Sequence, residues 1–346
     1  MVQNEKMVLV EKGKLVLMPD VMPDAPADDE VQLKNLYCGV CGSDVEYWKN
    51  GGIGRTVVHY PFILGHEWTA EVIAVGKDVD NVKVGDVVVM EPGVGCGKCV
   101  YCMTGRYNLC KKMRFMATPP IDGSFRRYMN YPARACFKLP ENVSARDAAM
   151  IEPLNVGMWG AERGEVDNSK ICLITGSGCI GLMTLLACKA RNAQRIIVSD
   201  IQDIRLKKAK ELGADEVINA AKEDVLERVR ELTDGEGADV VLDAAGSVIT
   251  EQQNVYNVRR GGVIVQIGIT DKPVPYQFNE LAKIEADIRT THRYRNLFPL
   301  AIKLIANGSI DIARISPSMF DFRDAQKAFE TAVNEADKVV KCMLQF

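Results

Sequence analysis

Lys170-Ile171-Cys172-Leu173-Ile174-Thr175-Gly176-Ser177-Gly178-Cys179-Ile180-Gly181 joins an apolar run to a glycine-rich turn, and the apolar pattern Ile180 to Ala190 follows it. A buried strand that enters a helix through G-x-G-x-x-G predicts a βαβ unit. Gly176 and Gly178 permit the tight turn and a close backbone approach to a ligand. Gly181 lets helix and strand pack, and the helix N-terminus attracts a pyrophosphate. The next apolar run, Arg195 to Ser199, ends on Asp200. A carboxylate there accepts from a ribose 2′-hydroxyl and repels a 2′-phosphate, which favours NAD over NADP. Arg205 lies close enough in sequence to contact the adenosine end. The charged amphipathic helix Ile204 to Leu212 and the strands Ala238 to Asp243 and Gly262 to Gly268 continue the alternation. This rhythm predicts a doubly wound parallel sheet.

Toward the N-terminus the texture differs. Met7 to Val10, Lys14 to Leu17, Glu30 to Leu33, Thr69 to Val75 and Val87 to Met90 are short strand patterns separated by Pro, Asp and Gly. They predict a β-rich, partly barrel-like first domain. Inside it lies Cys38-Gly39-Val40-Cys41-Gly42-Ser43-Asp44, followed by Leu64-Gly65-His66-Glu67. Thiolate, imidazole and carboxylate with small residues between them suit a zinc ion that keeps one position open for chemistry. Imidazoles are scarce, since only His59, His66 and His292 exist.

Cys96, Cys99, Cys102 and Cys110 follow in one loop. Four thiolates at this spacing close a tetrahedron around a structural zinc, and nearby lysines and arginine offset its negative charge. Ile151-Glu152-Pro153-Leu154 then puts a carboxylate in an apolar setting. The chain ends in the strand pattern Lys338 to Phe346, which is expected to return to the first domain.

The whole chain of 346 residues exceeds one ordinary core, and 47% of it is apolar. Net charge is −3 with no basic block, so nucleic acid and anionic membrane are not expected partners. Eleven cysteines without an export-signal pattern point to metal ligation in a cytoplasmic protein in preference to a disulfide framework.

With these motifs assembled, the chain resembles the zinc-dependent medium-chain dehydrogenases over essentially its whole length. Gly65-His66-Glu67 with Gly76 follows that family's zinc signature, although Ala70 stands where a glycine is usual. Cys41 to Trp48, Ala117 to Pro120, Ile151 to Leu154 and Arg293-Tyr294 are similar to the polyol (sorbitol and xylitol) dehydrogenases. The resemblance implies a GroES-like catalytic domain from residues 1–155 and 292–346, with a zinc lobe at about 91–112, around a Rossmann domain at 156–291. It also implies NAD, two zinc ions per subunit, a small polyol substrate and a homotetramer or dimer.

Carried over by position, Cys41, His66 and Glu67 resemble the catalytic zinc ligands, and Glu67 could instead sit behind them. Glu152 resembles the second glutamate, which binds the metal or its water. Asp44 would orient His66, and Ser43 would take the substrate hydroxyl proton. Tyr47, Phe115, Glu152, Arg293 and Tyr294 resemble the substrate contacts. Ile180, Asp200, Arg205, Ile267 and Ile269 resemble the NAD contacts. Glu46 replaces a histidine common in relatives. The expected reaction is oxidation of a polyol at a secondary alcohol to a ketose, with 2,3-butanediol, L-threonine or a sugar acid as alternative substrates. A non-catalytic zinc and nucleotide sensor is the competing class.

Overall fold

A computed structural model describes residues 4–270 and 272–346. The chain folds into two compact units. The first comprises Met1–Glu152, Phe298–Ala306 and Ile315–Phe346; the second comprises Pro153–Leu297 and Asn307–Arg314. The boundary falls just after Glu152, inside the Ile151–Arg163 helix.

The first unit is built on a seven-stranded sheet whose central strand is Glu30–Gly39. One side of that strand pairs antiparallel with Glu67–Val75. Its other side is shared: Tyr128–Pro132 pairs along Glu30 to Lys34, and Cys342–Gln345 along Tyr37 to Gly39. Alternating apolar residues drive this arrangement, since Val31 and Leu33 are wholly buried together with Trp68, Phe125 and Phe329. Trp68 meets Tyr131 edge to face with ring centroids 5.1 Å apart, which fixes the sheet beside the site. The expected tail strand is shorter than its sequence pattern and spans Cys342–Gln345.

The second unit contains the doubly wound sheet. Six strands run parallel in the order Glu216–Asn219, Arg195–Asp200, Ile171–Thr175, Ala238–Asp243, Val258–Gln266, Asp287–Thr290. The chain order reverses beside Ile171–Thr175, so the glycine turn lies at the crevice where such sheets bind ligands. Leu173, Ile197, Val241 and Ile264 form the core of this sheet. Among the described residues no helix is long and apolar enough to cross a membrane.

Candidate active site

Strand register assembles the first cluster. Gly39 lies opposite Glu67, so the end of the central strand delivers Cys41 beside His66 and Glu67. Ligand atoms of Cys41, His66 and Glu67 all lie within 4.8 Å of one another. Cys41 also caps the Gly42–Asn50 helix, and its N–H donates to Asp44 Oδ2 at 3.3 Å. Asp44 is wholly buried; its Oδ1 accepts the Gly65 N–H at 3.2 Å and lies 3.4 Å from His66 Nδ1. That placement leaves His66 Nε2 as the ligand atom. Burial alone would lower the His66 pKa, but the Asp44 carboxylate and the Cys41 sulfur outweigh it and raise the pKa well above the ordinary value. The pocket therefore favours a positive charge at this ring. Glu67 Oε1 is buried and accepts no hydrogen bond from any described residue. A soft thiolate, an imidazole and a buried carboxylate with one oxygen left unpartnered fit zinc.

Glu67 Oε2 is ion-paired with Lys341 Nζ, and both side chains are almost entirely out of water. A Cβ on Gly39 would stand 2.0 Å from Glu67 Oε2, so the pair requires a glycine there. Glu152 lies in the first turn of its helix and is 5% exposed, but its carboxylate is not one of the three groups within the 4.8 Å cluster.

The four lobe cysteines also have ligand atoms within 4.8 Å of one another. Cys99 Sγ lies 3.5 Å from Cys102 Sγ and 3.8 Å from Cys110 Sγ. The Lys98 and Cys99 backbone N–H groups draw the Cys96 thiol down to about 6. Cys99 is lowered as well, whereas burial pushes Cys102 up to about 11; the four convergent sulfurs fit a closed structural zinc site.

In the second unit, Gly176 has φ +89° and a Cβ there would meet Ala245 N at 2.8 Å. A Cβ on Gly181 would meet Gly176 O at 1.9 Å. Asp200 Oδ2 accepts the Ser177 N–H at 2.7 Å, and Oδ1 accepts the Gln202 N–H at 2.9 Å. The carboxylate thus braces the fingerprint turn. Thr175 Oγ1 and Ser177 Oγ are buried without a hydrogen-bond partner among the described residues, as in a turn shaped for a polar ligand.

Two family models match the chain: a zinc-binding dehydrogenase model over residues 179–307 and an alcohol dehydrogenase GroES-like domain over residues 27–141. The chain is 40% identical over 343 residues to the sorbitol dehydrogenase of Bacillus subtilis, covering 99% of this chain and 97% of that one. It is 36% identical to the L-idonate 5-dehydrogenase of Vitis vinifera, covering 94% and 90%. A solved Escherichia coli structure, described as an oxidoreductase/dehydrogenase of unknown specificity, superposes with a TM-score of 0.96 at 39% identity and 99% coverage of both chains. The chain belongs to the zinc-dependent medium-chain dehydrogenases, in their polyol branch.

This dehydrogenase places the remaining candidate residues unit by unit, beginning with the first. Ser43 Oγ donates to Cys41 Sγ at 3.3 Å. Phe115 lies 5.7 Å from the His66 ring, and Tyr47 is buried edge-on against Phe62. Cys38 is wholly buried beside Ser124 Oγ, its thiol pushed up to about 12 by burial, and it does not join the ligand group. Glu46 is exposed and accepts a hydrogen bond from Asn50. Arg293 and Tyr294 fall in the second unit, where Tyr294 is buried and Arg293 half-buried with φ +55°. Ile180 and Arg205 are half-buried, Ile267 is buried, and Ile269 is 81% exposed.

Two residues of the dehydrogenase escape prediction from sequence. Lys341 is a cation inside an apolar strand pattern, a signal that a buried counter-charge exists but not where. Glu91, directly after Val87–Met90, is likewise a carboxylate that strand alternation alone leaves unassigned.

Proposed function

We propose that this chain catalyses the reversible NAD-linked oxidation of a polyol at a secondary alcohol to the ketose. The observation that carries this reading is the convergence of Cys41, His66 and Glu67 with the Ser43 hydroxyl bonded to Cys41 Sγ. Similarity to a named sorbitol dehydrogenase over nearly the whole length supports the substrate class.

Zinc, when bound, acidifies an oxygen ligand, as it brings water from a pKa of 15.7 to about 7. Cys41, His66 and Glu67 would hold it, with Glu152 reaching the metal or its water. Asp44 keeps the His66 ring oriented through Nδ1. Ser43 Oγ would accept the alcohol proton while passing its own on to water, and NAD, when bound, would supply the hydride acceptor that leaves a carbonyl at the oxidised carbon. Tyr47 and Phe115 would contact the substrate near His66. Arg293 and Tyr294 are assigned to the substrate on the resemblance alone. Gly176, Gly178, Gly181 and Asp200 would hold the cofactor, with Ile180, Arg205, Ile267 and Ile269 as further contacts.

The sugar-acid alternative gains weight from the L-idonate 5-dehydrogenase relative. NADH production on sorbitol, xylitol, L-idonate, 2,3-butanediol and threonine, with NADP in parallel and metal content measured, decides among these. Two bound metals without turnover of any alcohol would favour a non-catalytic binder. Association of copies and a cytoplasmic location complete the reading. The Asp287–Thr290 strand is an edge of its sheet, and Ile269 and Phe278 of the same unit are exposed. Light scattering reads the number of copies, and fractionation of cells reads the location.

A further inference from the structure

A buried polar network in the second unit has no part in the reaction described above. Its anchor is Asp243, wholly buried at the end of the Ala238–Asp243 strand. Asp243 Oδ1 accepts the Gly246 N–H at 2.8 Å, and Oδ2 accepts from Asn254 Nδ2 at 2.7 Å. Its carbonyl accepts the Ile267 and Gly268 N–H groups at 2.9 and 2.8 Å. Gln266 lies opposite Asp243 in the parallel register. Its Nε2 donates to Glu251 Oε1 at 2.9 Å and to Gly268 O at 3.1 Å. Both neighbours of that nitrogen are acceptors, which fixes which way round the carboxamide sits. Glu251 stands in the first turn of the Val248–Asn257 helix and is 4% exposed.

The network ties down two turns that lie backbone on backbone. Gly246 has φ +60°, and a Cβ there would stand 2.7 Å from Ile269 N; a Cβ on Gly268 would collide with Gly246 N. The Gly268–Ile269 peptide is trans, so the Gly268 carbonyl and the Ile269 N–H point in opposite directions. Gln266 holds the carbonyl, while the Ile269 N–H donates to no described residue. The Ile269 side chain is exposed. An oriented, unused donor beside an exposed apolar side chain suits a flat ring that carries a carbonyl group. Gln266 Oε1 is buried without a partner among the described residues, which costs stability. A leucine of similar size would avoid that cost, so packing alone does not account for an amide here.

We propose that Gln266 and Glu251 are positioning residues which, by gripping the Gly268 carbonyl, aim the Ile269 N–H at the nicotinamide end of the cofactor. Their kinetic effect rests on the NAD-linked reading above, whereas the network itself rests on its hydrogen bonds. Glu251 holds the Gln266 amide, and the amide holds the peptide. Without that grip the Gly268–Ile269 peptide gains freedom to rotate, and the nicotinamide ring is held in several poses in place of one. The adenosine half of the cofactor, assigned to the Gly176 turn and Asp200, does not feel the change.

The test compares the full chain in wild type, Gln266→Leu and Glu251→Gln. NADH affinity is read by fluorescence titration, and affinity for ADP-ribose, which lacks the nicotinamide, by displacement of NADH. Gln266→Leu is expected to weaken NADH by about 3- to 10-fold while ADP-ribose stays within about twofold. Glu251→Gln keeps an acceptor oxygen for Gln266 Nε2 and is expected to weaken NADH by a smaller factor. In both variants kcat/KM for NAD should fall further than affinity does, because a misplaced ring also loses its attack geometry. Equal losses for NADH and ADP-ribose would overturn the proposal, since they mean a loosened unit and not a misaimed ring. Unchanged NADH affinity in both variants would overturn it too, as would a wild type that binds NADH no tighter than ADP-ribose. If Gln266→Leu does not fold, Glu251→Gln decides by the same pair of titrations. If the wild type binds NADH but oxidises no alcohol, the reaction assignment fails, and the two affinities still decide the role of Gln266 and Glu251.

Discussion

Lys341 and Glu67 form an ion pair whose side chains are 4% and 0% exposed. One partner comes from the final strand region and the other from the zinc signature. Removing one member of such a pair strands a charge in a low-dielectric setting. Lys341→Met is therefore expected to cost about 3–5 kcal/mol of stability. Adding Glu67→Gln should recover part of that loss. Urea unfolding of the single and double variants checks the coupling, and equal losses in both would refute it.

Gly39→Ala places a Cβ where Glu67 Oε2 now sits, at 2.0 Å. Backbone on both neighbouring strands holds Gly39 in place, so Glu67 and Lys341 must give way. Disturbing such a support is expected to weaken catalytic-metal affinity by about 10- to 100-fold. The lobe zinc should stay, since its ligands lie elsewhere in the unit. Metal titration with site-resolved occupancy measures both.

Asp200 braces Ser177 and Gln202, and in the proposed function it would also face the cofactor. Asp200→Ser loses charge-assisted hydrogen bonds worth roughly 1.5–3 kcal/mol each. The expected result is a kcat/KM for NAD lower by about 10- to 100-fold. The ratio of NADP to NAD efficiency should rise, because repulsion of a 2′-phosphate is gone. Parallel initial rates with the two cofactors would show an unchanged ratio if Asp200 only braces the turn.

Glu5 is held below the usual carboxylate range, first by its hydrogen bond from Arg127 and also by Arg323. A depressed folded pKa adds stability that is present above the unfolded value of about 4.3 and lost as pH falls through the folded one. The partners are partly exposed, so the contribution is expected to stay under about 1 kcal/mol. Glu5→Gln should differ from wild type above about pH 5 and converge with it in more acidic solution. Thermal melts at pH 7 and pH 3 test this.

Much of this molecule is written locally. The glycine turn at Gly176 and the cysteine spacing from Cys96 to Cys110 each specify their structure within a short span, so strand, turn and the convergence of four sulfurs follow from neighbours in sequence. Cys41 and His66 were also legible, because small residues and a flanking carboxylate mark them. Lys341 and Glu91 were not. Their partners are set by which strand lies beside which, and that pairing depends on the whole sheet. Glu152 shows the same limit: its apolar setting was visible, while its position outside the 4.8 Å ligand group was not.

The long Glu30–Gly39 strand, paired along its last residues with Cys342–Gln345, also has a meaning in time. Cys41, His66 and Glu67 leave the ribosome early, whereas Lys341 follows on the order of tens of seconds later at ordinary elongation rates. Throughout that interval the Glu67 carboxylate lacks its Lys341 counter-charge, and Tyr37 to Gly39 lack their neighbour on one flank. Until the Cys342–Gln345 strand pairs, the Cys41, His66 and Glu67 group therefore lacks the cation that flanks it in the folded chain. Docking of the Cys342–Gln345 strand and neutralisation of the Glu67 carboxylate by the adjoining Lys341 are therefore one event.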